Sequence, residues 1–252
     1  MKLYSDVCLH LSMFLADRAH FLYPDQLHYF PFLRKTRNSV FHEFVPVSLV
    51  DKPDPREARE QYVLLAGAPW YLKGADVLIK AFLLLAPDFP HVKLKILGHY
   101  LDRTELDALS GGSPQVEILQ ARPHLEALEV IRNATVMVMP SRCEGLSRAL
   151  IEAMAAAIPL IGSDVGGIPV LVRDGENGFL IPVGDHKTLS DRLRQLLGDA
   201  NLRRRMGESG YARAHGELNE KRYVAEFTRM VQATVADEPS TVPDQRETTA
   251  AK

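Results

Sequence analysis

The sequence is poor in cysteine and carries almost no excess of charge. Cys8 and Cys143 are the two cysteines among 252 residues, too few for a disulfide framework, which favours a reducing compartment. The 30 basic and 32 acidic residues give a formal net charge of -2, so the balance gives no indication of a nucleic-acid partner. No apolar run approaches the roughly 18 residues of a membrane span, and residues 1–20 do not resemble a signal peptide. We therefore expect a cytoplasmic protein, with attachment to a membrane surface left open.

Several kinds of catalytic site are also missing from the sequence. The nine histidines are scattered without the spacing of metal ligands, and none has an evident orienting partner, so neither a metal site nor a catalytic triad is predicted. No G-x-G-x-x-G follows a predicted strand and no G-x-x-x-x-G-K-[ST] occurs, which argues against a dinucleotide-dependent oxidoreductase. Cys143 is expected to be a small packing residue rather than a nucleophile.

The composition is that of a globular protein, with 46% hydrophobic and 25% charged residues. Residues 1–60 are expected to be a linker region with partial N-terminal elements: a strand turning into a helix at 6–18, a loop at 23–31, a strand at 41–50 and an exposed connection at 51–60. Residues 61–236 are expected to form the main domain. The polar tail at 237–252 is expected to be disordered.

From residue 61, short apolar runs alternate with helical patterns. The predicted strands lie at 62–66, 92–97, 116–119, 135–139, 159–161 and 179–181. The predicted helices lie at 74–85, 103–109, 124–133, 147–157, 187–197, 201–215 and 220–235. Largely apolar strands that alternate with helices predict an α/β fold, a Rossmann-like parallel sheet with helices on both faces. Ligands of such sheets bind at the carboxyl ends of the strands.

The segment at 140–164, PSRCEGLSRALIEAMAAAIPLIGSD, follows one of these strands and opens a helix. Gly145 lies at the turn and Ser147 is a good N-cap. The start of such a helix is a natural site for a diphosphate, because its backbone N–H groups are free and its dipole is positive there. Glu144 and Glu152 would flank that diphosphate, one at sugar hydroxyls and the other at ribose hydroxyls. The alternative is that both are ordinary solvated glutamates.

Two further loops join strands to helices. In GAPWYLKGAD, at 67–76, Lys73 stands just before a helix and could reach a phosphate, although it could equally be a surface lysine. In DVGGIPVLVRDGENG, at 164–178, Gly166 and Gly167 would let the backbone approach a ligand closely, or would simply form a tight turn.

Three stretches together resemble the C-terminal domain of the family 4 (group 1) retaining glycosyltransferases: GAPWYLKGADVLIKAF, LKILG and VMVMPSRCEGLSRALIEAMAAAIPLIGSDVGGIPVLVRDGENGFLIPVGD. The similarity covers about residues 61–227. Two glutamates with seven residues between them, within PS-x-x-EG, are the specific signal, and VGG-I-P followed by DG-x-NG-x-L supports it. The resemblance implies the C-terminal half of a GT-B architecture, in which two Rossmann-like domains enclose the active site and the C-terminal domain binds a nucleotide-sugar.

The resemblance also implies roles for individual residues. Lys73, which neutralises the leaving diphosphate, and Glu144, which contacts donor-sugar hydroxyls, are the expected catalytic residues. The expected donor-binding residues are Gly67, Gly145, Leu146, Ser147 and Glu152, with backbone N–H groups of 145–147 at the diphosphate and Glu152 at the ribose. The donor is expected to be a UDP- or GDP-sugar, with no metal and no other cofactor. Base recognition is expected from the loop at 120–122.

The sequence departs from the family pattern in three respects. Ala68 stands where an arginine is common, and Arg142 or Arg148 could replace that cation. Ala157 stands where a glycine is common, which we expect to be a small packing change. Residues 1–60 are too few for an acceptor domain, so the chain is truncated, or a separate chain supplies that domain, or the protein is a non-catalytic binding module. We expect it to bind a hexosyl-type donor but, alone, to transfer poorly to its glycan or lipid-linked acceptor.

Overall fold

The structure, a computed structural model, describes residues 2–30, 38–50 and 60–236, the first few by their backbone alone. The chain divides into two compact units, one formed by Met1–Glu43 with Lys221–Lys252 and the other by Phe44–Glu220. The tail predicted at 237–252 and nearly all of the connection predicted at 51–60 lie outside the described residues. The domain limits drawn from the sequence stay a prediction. Within the described residues, no helix combines the length and the apolar character that a membrane crossing requires.

Strands and helices alternate along most of the described chain. In chain order they are α1 (Lys2–Leu15), β1 (Ala19–Phe21), β2 (Asn38–Val40), β3 (Tyr62–Ala66), α2 (Ala75–Leu85), β4 (Lys93–Gly98), α3 (Thr104–Ser110), β5 (Val116–Gln120), α4 (His124–Arg132), β6 (Val136–Met139), α5 (Arg148–Ala155), β7 (Leu160–Ser163), α6 (Ile168–Leu171), β8 (Gly178–Ile181), α7 (His186–Gly198), α8 (Ala200–Glu217) and α9 (Glu220–Val235). From β3 onward the predicted elements are all present, with ends shifted by no more than two residues, whereas the single turn α6 was not predicted.

Several sequence predictions for the first 50 residues were wrong. The strand expected to begin at 6–18 is instead the helix α1, and the strand expected at 41–50 is not formed. Pro46 lies inside that run, has no N–H for a strand ladder, and precedes a 3₁₀ turn at Val47–Leu49. The chain instead forms a strand just before that run, β2, which pairs in parallel with β1 through partners such as Phe21 and Val40. The loop expected at 23–31 contains a 3₁₀ helix at Pro24–Tyr29.

The second unit is built on one six-stranded parallel sheet in the order β5-β4-β3-β6-β7-β8. The central strands β3 and β6 read as uninterrupted apolar runs because helices flank the sheet, and all four residues of β6 are buried. Val63, Leu65, Ile96 and Val138 belong to one core together with the inner faces of α2 and α7. The predicted α/β fold is therefore confirmed.

The chain reverses its direction across the sheet between β3 and β6. It runs from β3 outward to β5, crosses back to β6 beside β3, and then continues outward to β8. In a sheet of this kind, two loops diverge at such a switch point and leave a crevice at the carboxyl ends of the strands. Here those loops are 67–74, after β3, and 140–147, after β6. They are the loops that carry Lys73 and Glu144.

Ala157 follows α5 in the left-handed region of the backbone, with a φ of 59°. It is a single alanine in a conformation that strongly favours glycine. A glycine on α8, Gly207, packs against its carbonyl so closely that a Cβ there would lie 2.0 Å from the Ala157 oxygen. Alanine at position 157 therefore strains the backbone, and the expectation of a small packing change was wrong.

Candidate functional site

Lys73 and Glu144 meet at the switch point of the sheet. The Lys73 Nζ donates a hydrogen bond of 2.6 Å to the Glu144 Oε2, and the two side chains are 20% and 9% exposed. Ser141 Oγ donates to the same oxygen at 3.4 Å, while the backbone N–H of Gly145 donates to Glu144 Oε1 at 3.2 Å. Two residues that are 71 positions apart in the chain thus form one charged pair at the carboxyl edge of the sheet.

Glycines allow the loop at 67–74, called the lysine loop here, to lie close to its neighbours. Gly67 has a φ of 145° and Gly74 a φ of 74°, both in the region that favours glycine. A Cβ on Gly74 would lie 2.0 Å from the carbonyl oxygen of Pro140, so the two loops touch through their backbones. A Cβ on Gly67 would lie 3.1 Å from the Lys73 side chain. The glycines on both sides of Lys73 therefore allow the lysine stem to lie along the loop and its ammonium to reach Glu144.

Tyr100 anchors the beginning of the same loop. Its hydroxyl donates a hydrogen bond of 2.7 Å to the Gly67 carbonyl, and the ring is buried. Burial raises the pKa of Tyr100 to about 12, so the hydroxyl remains a donor over the physiological range. The Gly67 N–H donates to the carbonyl of Leu97 at the end of β4. Gly67 is thus held from both of its backbone polar groups.

A second ion pair joins the acidic loop, residues 140–147, to the start of α2 beside the lysine loop. The Arg142 guanidinium donates to both carboxylate oxygens of Asp76 at 2.8 and 2.7 Å, and also to the Tyr71 carbonyl at 2.6 Å. Burial alone would raise the pKa of Asp76, but the hydrogen bonds and charge of Arg142 outweigh it and the pKa lies below its usual value. The Arg142 N–H donates to the Leu72 carbonyl at 2.9 Å. Arg142 is therefore committed to positioning the loops.

The acidic loop leads into α5, which begins as the sequence predicts. Ser147 is the N-cap residue, but its side chain makes no capping hydrogen bond. Leu146 and Ser147 are buried, whereas Gly145 is exposed and has no atom within 4 Å of the position of a Cβ. An anion at this helix start would meet first-turn N–H groups that no capping side chain occupies.

The glycine pair after β7 packs against the acidic loop. Gly166 has a φ of 58°, and a Cβ there would lie 1.9 Å from the Glu144 carbonyl oxygen. The N–H of Gly167 donates to the Gly145 carbonyl at 2.9 Å. The close contact that the structure shows is with the protein's own loop, and an approach of this backbone to a ligand stays a prediction. Gly166 therefore supports the position of Glu144.

Glu152 lies in the second turn of α5 and pairs with a histidine. The His124 Nε2 and the Glu152 Oε1 are 2.9 Å apart, with the glutamate side chain 8% exposed and the histidine 50% exposed. Glu152 is buried, which rules out an ordinary solvated glutamate. The sequence showed no histidine with an evident partner, and this pair is the one it missed. Only the position of His124 at the start of the helix that follows β5, near the edge where ligands bind, could have drawn attention to it.

Three exposed residues near this site, Cys143, Arg148 and Ala68, test further expectations from the sequence. Cys143 is exposed, so the expectation of a packing residue was wrong. Arg148 is the first residue of α5 and is exposed, and within the described residues its side chain has no hydrogen-bonding or ionic partner. Ala68 is also exposed, and as an alanine it supplies no cation at that position. Two arginines could replace the missing cation. The guanidinium of Arg142 is already bound to Asp76, whereas that of Arg148 is available for a ligand.

The loops of the switch point therefore bring together one ammonium group, one carboxylate and a helix start, and a second carboxylate, Glu152, lies within that helix. The carboxylates accept hydrogen bonds from paired hydroxyls, while the ammonium and the helix start favour an anion. Glu144 precedes the helix and Glu152 lies inside it, so the hydroxyl-binding groups stand before and after the anion-binding group along the chain. This order fits a ligand whose anionic middle joins two polyhydroxylated ends.

Comparison with known proteins shows which family the chain resembles. Residues 50–213 match the family model of the group 1 glycosyl transferases. The D-inositol 3-phosphate glycosyltransferase of Nocardia farcinica is 35% identical over 167 residues, which cover 62% of this chain and 37% of that protein. The N-acetyl-alpha-D-glucosaminyl L-malate synthase of Bacillus anthracis is 32% identical over 110 residues, which cover 44% and 29%. The chain spans less than half of the length of these curated relatives.

Solved structures share the fold. The sucrose-phosphate synthase of Thermosynechococcus elongatus superposes with a TM-score of 0.82 at 23% identity, over 92% of this chain and 62% of that one. HepE of Anabaena, solved in complex with UDP-glucose, superposes with a TM-score of 0.76 at 18% identity, over 93% and 69%. At these identities the likeness shows a common GT-B-like fold.

Proposed function

The chain belongs to the group 1 glycosyl transferases, and on that premise we propose that its second unit binds a nucleotide-sugar and serves the transfer of the sugar, a hexosyl-type group, with retention of anomeric configuration. The observation that carries the proposal is the Lys73–Glu144 pair of 2.6 Å at the switch point of the sheet. It joins a group that favours a phosphate to a group that favours sugar hydroxyls, as the junction of a sugar and a diphosphate requires.

The pair leaves capacity for a ligand on both partners. An ammonium group has three N–H donors, and Glu144 uses one of them, so two remain for phosphate oxygens. Glu144 is the more buried of the two and is held from its other oxygen by the Gly145 N–H. Lys73, Ser141 and Gly145 occupy three of the roughly four lone-pair sites of Glu144, so in the proposed complex it accepts one further hydrogen bond, from a donor-sugar hydroxyl. Lys73 lies at the diphosphate oxygen that takes up negative charge as the glycosidic bond breaks.

The start of α5 is the proposed seat of the diphosphate. The backbone N–H groups of Leu146 and Ser147 and the positive end of the helix dipole would neutralise charge there, and Arg148 would supply a further cation beside them. The Gly145 N–H would join them by exchanging Glu144 Oε1 for a phosphate oxygen. Groups that are held in place before the reaction stabilise developing charge without reorganisation. We propose that these groups perform the task that a metal ion performs at other diphosphate sites.

Glu152 is the proposed ribose-binding residue, and the loop that follows β5 is the proposed base-binding segment. Vicinal ribose hydroxyls suit a buried carboxylate, because both can donate to it. HepE of Anabaena has been solved with UDP-glucose and also with UDP and glucose. A UDP-sugar is therefore the first donor to test, and a GDP-sugar the second.

Calorimetric titration of the chain with UDP and GDP tests the proposal directly. We expect one of them to bind, and we expect Lys73→Met to weaken that binding about tenfold, as the loss of one charge-assisted contact implies. Lys80→Met is the matched control, since Lys80 is an exposed lysine further along α2, and it should leave the affinity unchanged. A folded chain that binds neither nucleotide would rule out the proposal.

A non-catalytic nucleotide-sugar-binding module is the second candidate. It is favoured by Ala68, which leaves one cation fewer at the diphosphate. Both candidates predict nucleotide binding, so binding does not separate them. Release of UDP from UDP-glucose by the chain, alone or with an added acceptor domain, would favour the enzyme. Binding without release under both conditions would favour the module.

A further inference from the structure

The Glu152 side chain has one partner in the part of the chain that the structure describes, and that partner is His124. The imidazole Nε2 lies 2.9 Å from the carboxylate Oε1, and the carboxylate side chain is 8% exposed. The two residues come from different helices, since His124 is the first residue of α4 and Glu152 lies in α5. Because an ionised carboxylate has no hydrogen to donate, the Nε2 must carry the proton in this contact.

We propose that His124 is a positioning residue for ribose recognition, which orients the Glu152 carboxylate toward the ribose hydroxyls and thereby determines selectivity for ribonucleotides. The proposal rests on the function proposed above and adds to it a residue outside the motif that carried the resemblance. His124 acts through Glu152 and need not touch the nucleotide.

The hydrogen-bond capacity of the carboxylate permits this arrangement. Two carboxylate oxygens offer about four lone-pair sites, of which the imidazole occupies one on Oε1. Within the described residues no donor occupies Oε2. Two ribose hydroxyls can therefore bind while His124 stays in place. The histidine is compatible with the ligand and is not displaced by it.

Positioning is needed because a glutamate side chain is flexible. Its three side-chain torsions must all be ordered before both oxygens face a pair of hydroxyls. α5 holds the Glu152 backbone, and a hydrogen bond from a different helix holds the far end of the side chain. A group ordered before binding loses less entropy when the ligand arrives. The benefit applies only to ligands that use the carboxylate, so the effect of His124 should depend on the ribose hydroxyls.

The competing explanation is a structural one, in which the pair merely joins α4 to α5. A structural contact would change the stability of the domain, and it would change the affinity for every nucleotide by the same factor. A positioning residue would change the affinity for a ribonucleotide and leave the affinity for its dideoxy analogue almost unaltered. The ratio of the two affinities is therefore the quantity to measure.

The experiment is calorimetric titration of the chain with UDP and with dideoxy-UDP, which lacks both ribose hydroxyls, with GDP and dideoxy-GDP as the second pair. The variants are His124→Leu, which removes the donor, His124→Gln, which keeps an N–H donor, and Glu152→Gln. His186→Leu is the matched control, because His186 is also the first residue of a helix. Circular dichroism melting of each variant reports on folding.

For wild type we expect the ribonucleotide to bind about tenfold tighter than the dideoxy form, as two hydrogen bonds to a carboxylate allow. Glu152→Gln and His124→Leu should bring that ratio to about threefold or less by weakening the ribonucleotide alone. His124→Gln should restore most of the ratio, and His186→Leu should keep all of it.

The outcomes separate the two proposals. If wild type prefers the ribonucleotide and Glu152→Gln abolishes the preference, but His124→Leu keeps it, the role of His124 is refuted while the proposed function stands. Equal weakening of both nucleotides in His124→Leu, with a lower melting temperature, would establish the structural explanation instead. If wild type binds neither UDP nor GDP, the proposed function fails, and the role of His124 fails with it.

Discussion

Arg142 donates two hydrogen bonds to the carboxylate of Asp76, and its guanidinium carbon also lies 4.0 Å from the centre of the Tyr71 ring. This arginine was one of two that could have replaced the cation missing at Ala68. The structure uses it to bind the loop after β6 to the start of α2, beside the loop that carries Lys73. This second ion pair, with the hydrogen bonds of Arg142 to the Tyr71 and Leu72 carbonyls, therefore joins the loop that carries Glu144 to the loop that carries Lys73.

The first prediction concerns the energy of that second pair. Asp76→Asn or Arg142→Leu should each lower the free energy of unfolding by about 2 kcal/mol, since each leaves a partly buried charged group without its partner. The double variant should lose less than the sum of the two, and urea unfolding of all four proteins measures the coupling. Arg132→Leu, which breaks an exposed pair with Glu129, should cost less than about 0.5 kcal/mol. Additive effects at Asp76 and Arg142 would contradict the prediction.

The second prediction is the pH dependence of the same pair. The pKa of Asp76 in the folded protein lies below its ordinary value of 3.8. The stabilisation is therefore complete above that ordinary value and is lost as the pH falls through the folded value. Wild type should exceed Asp76→Asn in unfolding free energy by a constant amount near neutrality, with a difference that shrinks at more acidic pH. Urea unfolding from neutral to acidic pH tests it, and a difference that grew with acidity would have the wrong sign.

The third prediction tests the support that Gly166 gives to the acidic loop. Gly166→Ala should lower the free energy of unfolding by about 3 kcal/mol, because the alanine would combine left-handed backbone strain with a clash against the Glu144 carbonyl. Gly184 is the matched control, since it also has a positive φ but has no atom within 4 Å of its Cβ position. Gly184→Ala should therefore cost only about 1 kcal/mol. Equal costs at the two positions would show that the contact with Glu144 is unimportant.

The fourth prediction is a stabilising substitution. Ala157→Gly should raise the free energy of unfolding by about 0.5–1 kcal/mol, because relief of left-handed strain exceeds the added entropy of glycine in the unfolded chain. Ala149→Gly is the opposite case, since Ala149 lies inside α5 and should lose about 1 kcal/mol. Thermal and urea unfolding of both variants measures the two signs. A loss of stability at Ala157 would mean that the alanine is not strained.

The parts of the fold that the sequence predicted are those with local causes. The run VMVM becomes β6 because an uninterrupted apolar stretch can be buried on both faces, and α5 begins after Ser147 because residues from Arg148 onward favour a helix. The strands among the first 50 residues were predicted poorly because they depend on distant partners. β2 exists because it pairs with β1, and Arg18 Nε reaches Thr234 Oγ1, 216 positions away. Such contacts leave no periodic pattern in a single sequence.

For the candidate site, the sequence by itself determined which groups are present and that they follow strands in a parallel α/β domain, because residue type and periodicity are local properties. Only the tertiary structure decided their partners. It brings Lys73 to Glu144, assigns Arg142 to Asp76, sets Gly166 against the Glu144 backbone and joins His124 to Glu152. The physical reason is that strand order is settled by the packing of the whole sheet. The meeting of β3 and β6 at its centre selects which loops become neighbours.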